Sequence, residues 1–117
     1  MDITGHGCVN CREMEQRVWS APEVLELLRN EFEIVALYTD DKTKLPEDKW
    51  ITAENGKVLK DLGRVNSYYV RKTFGVNAQP NYTILSPEGK QLVPVRGYNL
   101  DVAGFVEFLQ KGIEANN

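Results

Sequence analysis

The chain is poor in the residues that several functions require. It has two cysteines and one histidine in 117 residues. Two thiols cannot build a disulfide-dense secreted scaffold or a four-thiolate metal site. Nor is there an excess of positive charge: 14 Lys and Arg stand against 17 Asp and Glu, a net charge of −3, with the basic residues scattered. That balance argues against a nucleic-acid binder held by phosphate contacts. No apolar run approaches the ~18 residues of a membrane span. The opening Met1-Asp2-Ile3-Thr4-Gly5-His6 has neither the basic nor the apolar segment of a signal peptide, and none is expected in it. Internal repeats and low-complexity tracts are absent.

What remains is an ordinary globular composition, 42% hydrophobic and 26% charged. It predicts a single domain over residues 1–117, long enough to bury a core without staples. The spacing predicts a helix from Cys8 to Trp19, with Cys11, Met14 or Glu15, and Val18 on one face. Ser20-Ala21-Pro22-Glu23 reads as a capping box opening a second helix through Val24, Leu25, Leu27 and Leu28. Phe32 to Thr39 is nearly continuous in apolar residues, which predicts a strand buried on both faces. Asp40 to Gly63 reads as an inserted loop, pinned by Leu45, Trp50, Ile51, Val58 and Leu59.

A helix is expected from about Val65 to Phe74, stopped by Gly75. Tyr82–Leu85 and Gln91–Val95 predict two strands joined by the turn Ser86-Pro87-Glu88-Gly89. The last helix is capped by Asp101 and buries Val102, Phe105, Val106, Leu109 and Ile113. Only Asp2-Ile3-Thr4 remains for a strand before the first helix, fewer than the usual five or six residues. The natural polypeptide is therefore expected to extend upstream of Met1.

Chemistry concentrates in Cys8-Val9-Asn10-Cys11. Two thiols at this spacing at a helix start can close a small disulfide. The first meets unpaired N–H groups and the helix dipole, which favour a thiolate. The second, one turn in, can attack a mixed disulfide, the division of labour that thiol–disulfide exchange needs. Two other readings stay open here. The pair could be half of a zinc site, with His6 the one further soft ligand, or an inert structural disulfide. Haem attachment is excluded, because Arg12 stands where a histidine is required.

The cysteine pair at a helix start, a buried strand, then Gln79-Pro80 before a strand and a closing helix, resembles the thioredoxin fold. More narrowly, the run from Asp2 to Glu15 resembles the C-terminal periplasmic domain of DsbD-type thiol–disulfide interchange proteins and their soluble relatives. Val18 to Val24 and Phe74 to Gly89 fit the same group. The resemblance implies an α/β thioredoxin-like fold: a central mixed sheet flanked by helices, with a truncated first strand and an insertion at about 40–63. It implies Cys8 as nucleophile and Cys11 as resolving thiol. Asp2 matches a buried acid beneath the second cysteine and Glu15 a carboxylate near the site. Pro80 matches a cis-proline facing the disulfide. Gln79, with Val9 and Asn10, would contact a bound substrate strand. Gly5-His6-Gly7 departs from relatives that carry a tryptophan before the first cysteine.

The implied activity is reduction of protein disulfides, recharged by a membrane thiol carrier, in a periplasmic electron-transfer or cytochrome c maturation pathway. Partners are then protein thiols and disulfides. No cofactor beyond the Cys8–Cys11 disulfide is expected, no metal and no nucleic acid, and the protein is expected to be a monomer. A disulfide isomerase, a general reductase and a redox-inert binding module are the alternatives. Asp2, Glu13 and Glu15 oppose a second negative charge, whereas Arg12 and the helix N-terminus favour one. The acids are judged to prevail, giving a reducing pair at ~−270 to −200 mV rather than ~−120 mV. His6 is expected to be an exposed flanking residue, and Trp19, Trp50, Tyr68 and Tyr69 to serve packing.

Overall fold

The computed structural model describes residues 1–117. In chain order its elements are β1 (Asp2–Thr4), α1 (Val9–Met14) with a π-helical continuation (Glu15–Trp19), α2 (Pro22–Glu31) and β2 (Ala36–Tyr38). A 3-10 turn (Glu47–Lys49), β3 (Ile51–Thr52), β4 (Val58–Leu59), α3 (Leu62–Phe74), β5 (Asn81–Tyr82) and α4 (Val102–Ala115) follow. The main sheet has the order β2-β1-β5, with β1 parallel to β2 and antiparallel to β5. The short first strand is thus the central one.

Side chains alternate across β1, and each face meets different helices. Ile3 packs with Val70 of α3 and Val76 in one small core. The larger core joins Met14 and Val18 of the first helix, Val24 and Leu28 of α2, Tyr82 and Ile84, and Phe105, Phe108 and Leu109 of α4. Asp2 and Thr4 are buried as well, although polar.

Several expectations need correction. The apolar run Phe32–Thr39 pairs only over Ala36–Tyr38, and Ile34 and Val35 are 48% and 49% exposed. β2 is an edge strand with β1 as its neighbour, so apolar continuity here does not mean burial on both faces. Ser20 is not the N-cap of α2. Its hydroxyl donates to the Gln16 carbonyl, and Ala21 stands at the N-cap position with no side-chain bond, with Pro22 pre-set for the first turn. The insertion is mostly loop, as expected, but it also holds a short hairpin in which β3 and β4 pair antiparallel. Leu59 pins it, but Ile51 and Val58 are each 38% exposed. α3 begins at Leu62, since Asp61 accepts the Arg64 N–H at 2.8 Å and so caps the first turn.

Gln91–Val95 is not a regular strand either. Leu85 bridges Gln91 and Tyr82 bridges Arg96, so the second side carries surplus residues. The surplus bulges around Pro94, which has no N–H to offer a ladder.

Candidate active site

β1 hands the chain to the turn Gly5-His6-Gly7, which ends at Cys8. Cys8 is the N-cap of α1: its backbone is extended, and its sulfur accepts the Cys11 N–H at 3.1 Å. A sulfur so placed is the natural seat of a thiolate, because the donor is a backbone amide left unpaired by the helix start. Cys8 and Cys11 are joined in a disulfide. Cys8 is 9% exposed and Cys11 1%, so the first sulfur belongs to the more accessible residue. Cys11 lies on the buried stripe with Met14 and Val18, as the spacing predicts. Val9 is 79% exposed, and Asn10 is exposed beside it.

Acidic groups gather between β1 and the first helix. Asp2 is anchored in the sheet through its N–H to the Val35 carbonyl, 2.8 Å. Burial first, and then the Glu15 charge, push its carboxyl up to about 6, against the opposing Met1 ammonium and Arg12. Glu15 is half-buried and accepts from Arg12 Nη1 at 3.3 Å. Arg12 Nη2 reaches back to Thr4 Oγ1 at 2.9 Å and the Gly5 carbonyl at 3.0 Å. One guanidinium therefore ties the first helix to the end of β1 and neutralises part of the acidic cluster.

Facing the turn is the loop before β5. The Gln79–Pro80 bond is cis, and Pro80 is buried. The Gln79 side chain accepts from Thr39 Oγ1. A Cβ on Gly5 would lie 2.7 Å from Gln79 Nε2, so glycine lets the turn pass this close.

Sequence reasoning missed the residues that end β2. Asp40 Oδ1 accepts the His6 N–H at 2.9 Å and lies 3.2 Å from His6 Nδ1, while Oδ2 accepts the Gly7 N–H at 3.0 Å. Those two amides, Gly7 first, hold the Asp40 carboxyl below the usual range. Tyr38 stacks on His6, with ring centroids 4.2 Å apart. Thus His6, though exposed, is held on two sides. One general rule pointed here: functional groups in open α/β sheets collect beyond the carboxyl ends of the parallel strands. Asp40 stands two residues beyond Tyr38. Sequence reading also left out the Tyr98 hydroxyl, which bonds to Glu13 of α1.

A sheet with helices on both faces, a cysteine pair starting a helix and a cis-proline loop define a redox-type α/β domain. A protein-family comparison makes this specific: the family described as thioredoxin-like domain matches residues 1–113, and the chain belongs to that family. No curated protein matches it. A solved structure described as DsbH oxidoreductase is similar, with a TM-score of 0.65 and 18% identity, over 97% of this chain and 69% of that one. At that identity the likeness shows the fold alone. Family membership together with the Cys8–Cys11 pair supports a thiol–disulfide oxidoreductase in general.

Proposed function

We propose that the protein reduces disulfides in other proteins. Cys8 thiolate attacks one sulfur of a substrate disulfide, forming a mixed disulfide and releasing the other substrate sulfur as a thiolate. Cys11 then loses its proton and attacks Cys8, which releases the second substrate thiolate and leaves Cys8–Cys11 oxidised. A donor dithiol returns two electrons and becomes a disulfide itself. In this reading Gln79 and Pro80 meet the substrate strand, with Val9 and Asn10 at its edge. Asp2 and Glu15 hold or take up the proton that Cys11 exchanges.

One observation carries the direction of electron flow: on the elements that bear and hold the pair, Asp2 on β1, Glu13 and Glu15 on the first helix and Asp40 on the turn outnumber the guanidiniums Arg12 and Arg17. Negative surroundings disfavour the Cys8 thiolate, and a pair whose reduced form is disfavoured gives up its electrons. The resemblance to DsbD-type proteins supports a membrane thiol carrier as donor, a periplasmic setting, and substrates that include cytochrome c maturation factors. No helix of the chain is long and apolar enough to cross a membrane.

Insulin reduction by dithiothreitol tests the reading. The wild-type protein should accelerate it, Cys8→Ser should not, and Cys11→Ser should accumulate a mixed disulfide. Equal rates for Cys8→Ser and wild type would mean a redox-inert module. A potential near ~−120 mV in glutathione buffers would reverse the direction.

A further inference from the structure

We propose that Asp40 is a positioning residue for this exchange: its carboxylate fixes the turn that carries Cys8, and its charge biases the Cys8–Cys11 pair toward giving electrons. The inference rests on the reading above but has its own measurement. The geometry has three parts. First, both oxygens of Asp40 are engaged, and all their partners lie in the two residues immediately before Cys8. Second, no other side chain bonds the His6 and Gly7 amides: the turn's remaining support is the Arg12 bond to the Gly5 carbonyl at 3.0 Å, the Tyr38 ring on His6 and a long 3.3 Å bond from Cys8 N–H to the Gly5 carbonyl. Third, the neighbouring residues on the same strand end also hold the site. Tyr38 carries the His6 ring, and Thr39 donates its N–H to the Thr4 carbonyl at 3.0 Å and its hydroxyl to Gln79. Tyr38-Thr39-Asp40 therefore fastens the Cys8 turn and the cis-proline loop to one end of the sheet.

The charge acts on the same atoms. When a donor dithiol reduces the disulfide, it supplies two electrons and two protons, leaving Cys8 and Cys11 as thiols. Cys8 then loses its proton to become the nucleophile. A carboxylate hydrogen-bonded to the residue next to Cys8 opposes that loss, because nearby like charges disfavour ionisation. The other charged groups of the cluster are His6 in the turn, Asp41 beside Asp40, Arg12, Glu13 and Glu15 on the first helix, and Asp2 on β1. Asp41 is the useful contrast. It accepts from the Thr43 N–H at 2.9 Å within its own loop and makes no hydrogen bond to the turn.

The test compares Asp40→Asn with Asp41→Asn in the reduced protein, following Cys8 alkylation by iodoacetamide against pH. Asp40→Asn should lower the midpoint by about half a pH unit. It should also move the equilibrium with glutathione about threefold toward the dithiol, while Asp41→Asn moves both less. Asp40→Glu, which keeps the charge, should stay near wild type in midpoint. An unchanged midpoint in folded Asp40→Asn, or equal shifts in the two asparagine variants, would overturn the proposal. If Asp40→Asn does not fold, the wild-type protein still decides. The His6 and Gly7 amide shifts should titrate together at a pH below the usual carboxylate range, and their failure to do so overturns the clamp. None of these readouts needs a protein substrate, so they stand apart from the outcome with insulin.

Discussion

The turn that carries Cys8 and the β3–β4 hairpin are both short, exposed and glycine-bearing, yet they are held in opposite ways. The turn is gripped from a distance: Asp40 and Tyr38 come from the far side of the first two helices, and Gln79 from the loop before β5. The hairpin is held by its own neighbours. Ala53 N–H reaches the Lys57 carbonyl at 2.8 Å, Gly56 N–H the Ala53 carbonyl at 2.9 Å, and Lys57 N–H the Asn55 side chain at 3.0 Å. Its remaining charges settle on the surface, Glu54 with Lys72 of α3 and Lys60 over the Trp50 ring. Long-range side-chain bonds fix a backbone relative to the whole sheet, whereas local bonds fix a loop only relative to itself. The first arrangement suits a reacting atom, and the second leaves a segment free to vary.

The strongest way to break this contrast lies where the two regions meet. Gly63 opens α3 at the end of the insertion, and a Cβ there would lie 2.7 Å from both Asp41 N and Asp41 O and 2.8 Å from Thr39 O. All three are backbone atoms of the segment that presents Asp40. Gly63→Ala should therefore cost about 1–3 kcal/mol, the range of core overpacking, and should disturb the Cys8 turn as well. Gly5→Ala should cost less, because its tightest contact is the far end of the Gln79 side chain, which can rotate away. Denaturant midpoints rank the two, and a larger loss for Gly5→Ala would invert the assignment of rigid and yielding contacts.

A second, smaller effect separates the regions by pH. The anchored region contains a buried acid, whereas Glu54 in the hairpin is exposed. Folding raises the Asp2 carboxyl from its ordinary 3.8 to about 6. Between those values the native state keeps a proton that the unfolded chain has released. Stability from this group therefore falls as pH rises from about 4 to about 6 and is level above. Asp2→Asn removes the ionisation and should stabilise the protein by about 1–2 kcal/mol at pH 7. Thermal melts from pH 4.5 to 7.5 should show the wild type losing ground to the variant as pH rises. A constant difference between them would place the Asp2 charge in solvent.

The same contrast explains what was legible in the sequence. The first helix, with Cys11, Met14 and Val18 inward, follows from local periodicity, and so does α4 with Phe105 and Leu109. Gly75, with φ +70°, ends α3 where a left-handed residue was expected. Errors fell where the outcome depends on distant partners. Ile34 and Val35 look like core residues, but β2 lies at the sheet edge and leaves them half exposed. Ser20 has the residue type of a cap, yet the Gln16 carbonyl competes for its hydroxyl. Asp40 was read as the first residue of a loop, because nothing local shows that its carboxylate meets amides 33 and 34 positions earlier. The cysteines were legible because their chemistry depends on a spacing of three residues. The clamp that positions them was not, because it exists only once the sheet has formed.

The smallest expected effect sharpens the comparison from the other side. Ile51 and Val58 sit on the two strands of the hairpin and are each 38% exposed. Thr52 pairs with Val58 and Ile51 with Leu59, so neither apolar residue faces the other directly across the ladder. Replacing each with threonine keeps the β-branched shape that suits a strand and trades part of its apolar area for a hydroxyl that water can reach. The double variant Ile51→Thr, Val58→Thr should therefore change stability by less than about 0.5 kcal/mol. Insulin reduction should stay at the wild-type rate, since the Cys8 turn draws no support from these side chains. Leu59→Thr is the control, because that residue is 8% exposed and pins the hairpin. It should cost more than the exposed pair together. If the exposed pair costs as much as Leu59, the hairpin is fastened through these side chains as well, and its independence from the anchored region is wrong.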